Sequence, residues 1–150
     1  MLSVFCVCGV SPAVGGTTES YDQTTVVVAY RIEGHPDQFG SSSLKDNPTI
    51  ETYPILGIEF LTSPAQIRRL GGVVAAERKA SRNPSACFYP GLALSFVSRE
   101  KVSNVLICLE CRNLSGARAD EVVGMSDSGY EQFLALYNEL FKGAISQGAR

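Results

Sequence analysis

Residues 87–111 read CFYPGLALSFVSREKVSNVLICLEC. Two apolar segments, residues 87–97 and 102–111, flank the charged tetrapeptide at residues 98–101. Apolar segments of this length joined by a short polar tip are typical of two antiparallel strands and their turn. The stretch therefore predicts a β-hairpin, and the rest of the chain can be placed around it.

Apolar residues alternate with others in both arms of the hairpin, so one face of each strand turns towards a core. Aligning the two apolar faces predicts that Phe96 lies opposite Val105 and that Leu94 lies opposite Ile107. We expect these four side chains on the side of the sheet that the helices cover.

In that register Cys111 lies opposite Pro90, which leaves Cys87 three residues, or about 10 Å, further along the strand. A disulfide requires Cα atoms within about 7 Å, so a Cys87–Cys111 bond is disfavoured. Positions 108 and 111 should also point to opposite faces of a continuous strand. We therefore expect buried free cysteines here, since free cysteine packs as a small apolar residue.

An alternative hypothesis is a zinc-binding or thiol-redox domain that uses Cys87, Cys108 and Cys111. Cys108-Leu-Glu-Cys111 supplies half of the four ligands that a structural zinc site requires. A reactive Cys-x-x-Cys pair normally begins a helix, whereas a turn follows this one. We therefore favour no metal site.

Segments on both sides of the hairpin predict the remaining elements. The strands expected are residues 2–8, Val26–Ile32, residues 55–61 and, as a short strand, residues 122–125. One helix should begin after Thr62 or Ser63, with Pro64 in its first turn, and continue to Arg82, with a kink at the glycine pair 71–72. A second helix should begin after Ser126 and run to Phe141. The predicted fold is one α+β domain spanning residues 1–150, with an antiparallel sheet of about five strands packed by two main helices.

Residues 34–52 are rich in Gly, Ser, Pro, Asp and Asn, which predicts a long surface loop. Loops of this length are often functional, so a ligand or partner would contact His35, Phe39 and Tyr53. His35 is the single histidine of the chain, and no nucleophile-elbow motif accompanies it. We predict no catalytic residues and no cofactor.

The net charge and the lengths of the apolar runs restrict the kinds of partner that we expect. The 150 residues carry a formal net charge of -2, so no global field favours nucleic acid. No run reaches the roughly 18 to 20 apolar residues of a membrane span. The odd count of five cysteines slightly favours a reducing, cytoplasmic location. Export is the alternative, if the apolar residues 1–16 are a clipped signal segment.

The order of features from Tyr53 onward resembles a group of uncharacterised small bacterial proteins. The matching pieces are residues 55–57 (ILG), 87–90 (CFYP), 106–111 (LICLEC) and 126–141. Those proteins carry an Arg-His pair where this chain has Gly91 and Leu92, and leucine cannot bind a metal. The resemblance implies a shared fold and a lost ligand if that histidine belongs to a metal site.

These observations predict a small soluble binding or accessory module, not an enzyme. Its partner would be a small molecule or a protein.

Overall fold

The structure is a computed structural model that describes residues 20–38, 44–116 and 120–142. Its main elements, in chain order, are β1 (Val26–Ile32), β2 (Thr49–Ile50), β3 (Tyr53–Leu61), α1 (Pro64–Ala80), β4 (Leu92–Val97), β5 (Val102–Cys108), β6 (Asn113–Ser115), β7 (Val122–Gly124) and α2 (Asp127–Leu140). The strands form one sheet in the order β2-β3-β1-β4-β5-β6-β7, and every neighbouring pair is antiparallel.

The predicted α+β class is confirmed, but the described residues contain seven strands where about five were expected. The two strands that the sequence did not predict are the very short β2 and β6, two and three residues long. Segments this short carry too little alternation to be recognised as strands. The strand predicted at residues 2–8 lies outside the described residues.

The predicted hairpin is present, but its register is two residues away from the expected one. Leu94 lies opposite Val105, and Phe96 lies opposite Ser103. The turn sets this register because Ser98 N donates to Lys101 O at 3.0 Å and Ser98 Oγ accepts from Lys101 N at 3.1 Å. A two-residue shift preserves the face of every side chain. The expected core residues Leu94, Phe96, Val105 and Ile107 are accordingly all buried.

Helix α1 begins after Ser63 as predicted but ends at Ala80, before Arg82, with Ser81 in the left-handed region at φ 44°. The kink expected at Gly71 and Gly72 is wrong, because the helix is continuous through both. Gly71 instead permits a close approach: a Cβ there would lie 2.6 Å from Tyr21 Cβ. The glycine therefore serves packing, which its helix propensity alone does not reveal.

Helix α2 begins where the sequence predicts, because Ser126 Oγ accepts a hydrogen bond from Gly129 N at 3.0 Å. Ser126 also donates its hydroxyl to the buried carboxylate of Glu77 in α1, whose Oε2 accepts from Ser126 N at 2.8 Å. The capping residue thus joins the two helices.

Both helices pack on one face of the sheet, where the largest buried side chains of the core are Phe96, Phe133, Ile67, Leu92, Leu94, Ile107 and Leu114. A smaller cluster of Ile32, Ile50 and Ala93 lies on the other face.

That cluster corrects the expectation of one long surface loop at residues 34–52. Ile50 of β2 is buried, and Pro36–Gln38 form a short 3-10 helix.

No helix in the described part of the chain is long and apolar enough to cross a membrane.

Candidate functional site

An open cleft of about 440 Å³ lies beside the end of β1 on the helix-covered side. Three pieces of chain enclose it: the end of β1 with residues 33–35, the segment 89–91 before β4, and the turn at residues 109–110. Helix α2 and Leu56 of β3 complete the lining. The residues that line it are Arg31, Ile32, Glu33, Gly34, His35, Leu56, Tyr89, Gly91, Leu109, Glu110, Tyr130, Leu134 and Tyr137.

Two backbone contacts hold the walls together. Ile32 N donates to Gly91 O at 3.1 Å. A Cβ at Gly34 would lie 2.3 Å from Pro90 O, so only glycine allows the two chain segments to approach this closely. Gly34 therefore positions His35 at the cleft.

His35 is the predicted ligand residue that the structure places in the cleft. Its Nε2 lies 3.3 Å from Glu110 Oε2, and its ring stacks on Tyr89 with centroids 4.8 Å apart. Its backbone N donates to Glu33 Oε1 at 2.9 Å. His35 is thus oriented by three neighbours, two of them acidic.

Tyr53, another predicted contact residue, does not line the cleft. Tyr53 packs against the cluster on the opposite face of the sheet, and burial raises the pKa of its hydroxyl. Phe39 lies outside the described residues. Alternation along β3 turns the Tyr53 ring away from the cleft, and contact of a ligand or partner with Phe39 and Tyr53 stays a prediction.

Arg31 is a residue that sequence reasoning missed. It occupies the helix-facing position of β1 beyond Val27 and Ala29, and it is half-buried. Its Nη2 donates to Leu56 O at 3.2 Å, and its side chain passes over Gly57, where a Cβ would stand 3.6 Å from Arg31 Nε. The available signal was a charged residue at a core-facing position of an apolar strand.

Tyr137 of α2 brings a phenol to the cleft. Burial raises the pKa of its hydroxyl, the positive charge of Arg31 lowers it, and the negative charge of Glu33 raises it. Tyr130, two turns of α2 earlier, lies under the guanidinium of Arg112, which is 4.3 Å from the ring centroid. The cleft therefore combines charges of both signs with aromatic walls.

Three cysteines lie behind the turn at residues 109–110. The expectation that Cys87 and Cys111 are not bonded to each other is wrong. Cys87 and Cys111 form a disulfide with a Cα–Cα distance of 6.0 Å. Strand β5 ends at Cys108 and residues 109–112 form a turn, so the strand register from which the expectation was derived does not extend to Cys111. That turn, rather than a strand pairing, brings Cys111 within bonding distance of Cys87.

Cys108 is a free, fully buried thiol, as predicted. The strand ends at Cys108 and turns, with Arg112 in the left-handed region at φ 52°. Consequently positions 108 and 111 do not diverge, and Cys111 N donates to Cys108 Sγ at 3.1 Å. Burial raises the pKa of the Cys108 thiol, although backbone N–H groups of Cys111, Tyr89 and Glu110 oppose that shift.

The buried side chain of Asn113 ties the two cysteine-bearing segments together. Its Nδ2 donates to Cys87 O at 2.7 Å and to Ser85 O at 3.2 Å, and its Oδ1 accepts from Ser85 N at 3.0 Å. Ser85 Oγ completes the network by donating to Cys111 O at 2.8 Å. Nothing in the sequence pattern distinguished Asn113 from a surface asparagine.

Among residues 20–38, 44–116 and 120–142, no group of three or more His, Cys, Asp or Glu side chains is arranged to hold a metal ion.

No protein-family model, no curated protein and no solved structure matches this chain. The resemblance to the small bacterial proteins stays a prediction.

Proposed function

We propose that this protein is a binding module whose ligand is a small zwitterion held in the cleft beside β1. The observation that carries the proposal is the convergence of Arg31, Glu33, His35 and Glu110 on one concavity with three tyrosine rings. A volume of about 440 Å³ falls within the usual range of small-molecule sites.

The positive end of the cleft fits a carboxylate. A guanidinium has five N–H donors in a planar fork, and Leu56 O takes one of Arg31's. Partial burial strengthens a charge-assisted bond because less water competes with it. A ligand carboxylate would therefore bind to Arg31, beside the hydroxyl of Tyr137.

The acidic side chains fit an amino group. Glu33 accepts one hydrogen bond from His35 N, and Glu110 lies beside His35 Nε2. Ionised carboxylates accept further bonds through their remaining lone pairs. The rings of Tyr89 and Tyr130 and the side chain of Leu134 would then contact an apolar or aromatic group of the ligand.

A set of free amino acids with apolar or aromatic side chains tests this proposal. We expect saturable amide shifts for cleft residues in NMR spectra and a measurable heat of binding. N-acetyl and C-terminal amide derivatives each lack one charge, so we expect them to bind at least about tenfold more weakly. Equal binding of the free and blocked compounds, or no binding by any of them, would contradict the zwitterion proposal.

Arg31→Gln should raise the Kd of the best amino acid by about tenfold or more, because the carboxylate loses its charged partner. Arg68→Gln is the matched control, since Arg68 is exposed on α1 and does not line the cleft. Unchanged affinity in Arg31→Gln would show that the ligand binds elsewhere.

A further inference from the structure

We propose that the three cysteines behind the cleft form a thiol–disulfide relay, in which Cys108 attacks Cys111 and releases Cys87 as a free surface thiol. This inference is independent of the ligand in the cleft. It rests on the arrangement of a buried free thiol next to one end of a disulfide.

The first support is the position of the attacking sulfur. Cys108 stands three residues before Cys111, and the chain turns between them. The hydrogen bond from Cys111 N, at 3.1 Å, holds Cys108 Sγ against the residue whose sulfur it would attack. By contrast, two cysteines three apart on a continuous strand would point to opposite faces.

The second support is a scaffold that does not depend on the disulfide. Asn113 bonds to the backbone of Cys87 and of Ser85, and Ser85 bonds to the backbone of Cys111. Asn113 is fully buried, so its hydrogen bonds are shielded from water. When the bond between Cys87 and Cys111 breaks, this network keeps Cys87 near and makes the exchange reversible.

The chemical step conserves both electrons and atoms. The Cys108 thiol gives its proton to solvent, and the thiolate attacks Cys111 Sγ. A Cys108–Cys111 bond forms while the Cys87–Cys111 bond breaks, and the bonding pair leaves on Cys87 Sγ, which takes up a proton. No external oxidant or reductant is consumed.

The three cysteines differ in solvent exposure, so the exchange changes the location of the free thiol. Cys108 has no exposed surface and Cys111 only 5%, whereas Cys87 is half-buried next to the exposed residues Ser85 and Ala86. Exchange therefore moves the free thiol from the core to the surface, where it can react with an electrophile or with the disulfide of another molecule. Because burial raises the pKa of Cys108, little thiolate exists at neutral pH, and the exchange should accelerate as the pH rises.

Peptide mapping can detect the exchange, because trypsin separates the cysteines. Cleavage after Arg82, Arg99, Lys101 and Arg112 leaves Cys87 on one peptide and both Cys108 and Cys111 on another. The resting disulfide joins these two peptides, whereas the exchanged one leaves them separate.

The 150-residue Cys6→Ser/Cys8→Ser protein, oxidised and folded, would be incubated with iodoacetamide, quenched with acid, digested and analysed by mass spectrometry. We expect alkylated Cys87 on one peptide and an internal Cys108–Cys111 disulfide on the other. The rate should rise by about tenfold per pH unit below the pKa of Cys108, in step with the thiolate fraction.

Cys108→Ala in the same background is the matched control, and it should keep the Cys87–Cys111 disulfide without any alkylation. A folded parent protein that is alkylated at Cys108, or is not alkylated at all, would overturn the proposal. Alkylation of Cys87 in the Cys108→Ala variant would overturn it as well, since no attacking thiol is then present.

Discussion

Gly71 and Gly72 are adjacent in α1, yet their surroundings differ. A Cβ at Gly71 would lie 2.6 Å from Tyr21 Cβ, whereas a Cβ at Gly72 would meet no atom within 4 Å. Tyr21 cannot easily retreat, because its ring packs on Phe96 with centroids 4.3 Å apart and its hydroxyl accepts from Arg78 Nη1 at 2.8 Å. Packing thus requires glycine at position 71, whereas Gly72 only lowers the stability of the helix.

Alanine substitution should separate these two roles. Gly71→Ala should lower the free energy of unfolding by about 1–3 kcal/mol, because the added methyl group overpacks a core contact. Gly72→Ala should raise it by about 0.5–1 kcal/mol, because alanine favours the helix and restricts the unfolded chain. Urea denaturation of both variants measures the difference, and equal effects would contradict the assigned contact with Tyr21.

At the scale of the elements, the sheet has two unequal faces. The helix-covered face buries Phe96 to 2% exposure, whereas Phe60 on β3 stays 67% exposed on the other face. Phe60 lies opposite Val28 in the pairing of β3 with β1, and Phe96 lies opposite Val27 in the pairing of β4 with β1. Strand alternation therefore assigns two phenylalanines in similar strands to different environments.

The two phenylalanines should differ accordingly in stability. Phe96→Ala should cost about 3–5 kcal/mol, because it removes buried area and leaves a cavity. Phe60→Ala should change the free energy of unfolding by less than about 1 kcal/mol, as is usual for an exposed position. Chemical denaturation of the pair checks the assignment of faces, and a large loss in Phe60→Ala would refute it.

At the scale of the whole molecule, the disulfide connects the two arms of the hairpin beyond their last paired residues. It closes a loop between positions 24 apart in sequence, which limits the unfolded chain more than it alters the folded one. Asn113 holds the same two segments by hydrogen bonds. The disulfide and the hydrogen bonds of Asn113 therefore both connect the chain segments at this end of the sheet.

Reduction of the Cys87–Cys111 disulfide should lower the free energy of unfolding, but the protein should stay folded. Loop closure of this length corresponds to about 3.5 kcal/mol in the chain-entropy model. Urea denaturation with and without reductant should reveal this loss, and Cys87→Ser/Cys111→Ser should be insensitive to reductant. Complete unfolding of the reduced protein under native conditions would show that the hydrogen-bond network cannot hold the hairpin ends together.

Local patterns were sufficient for much of the architecture. The alternation around Leu94 and Phe96 identified the core face, and Ser126 identified the start of α2, because both signals depend on a few consecutive residues. His35 could be singled out as a candidate contact because it is the single histidine in a polar segment. These features depend on properties that are local to the chain.

Tertiary structure alone decided the rest. The hydrogen bonds of the turn at Ser98 set a hairpin register two residues from the expected one, and the turn after Cys108 brought Cys111 to Cys87. The cleft likewise joins Arg31, Glu110 and Tyr137, which are far apart in sequence and meet only where β1, the turn after β5 and α2 adjoin. The amino-acid sequence by itself determined the class of fold and the faces of its strands. Register, disulfide and site required the folded chain, because each depends on contacts between distant residues that a local pattern does not specify.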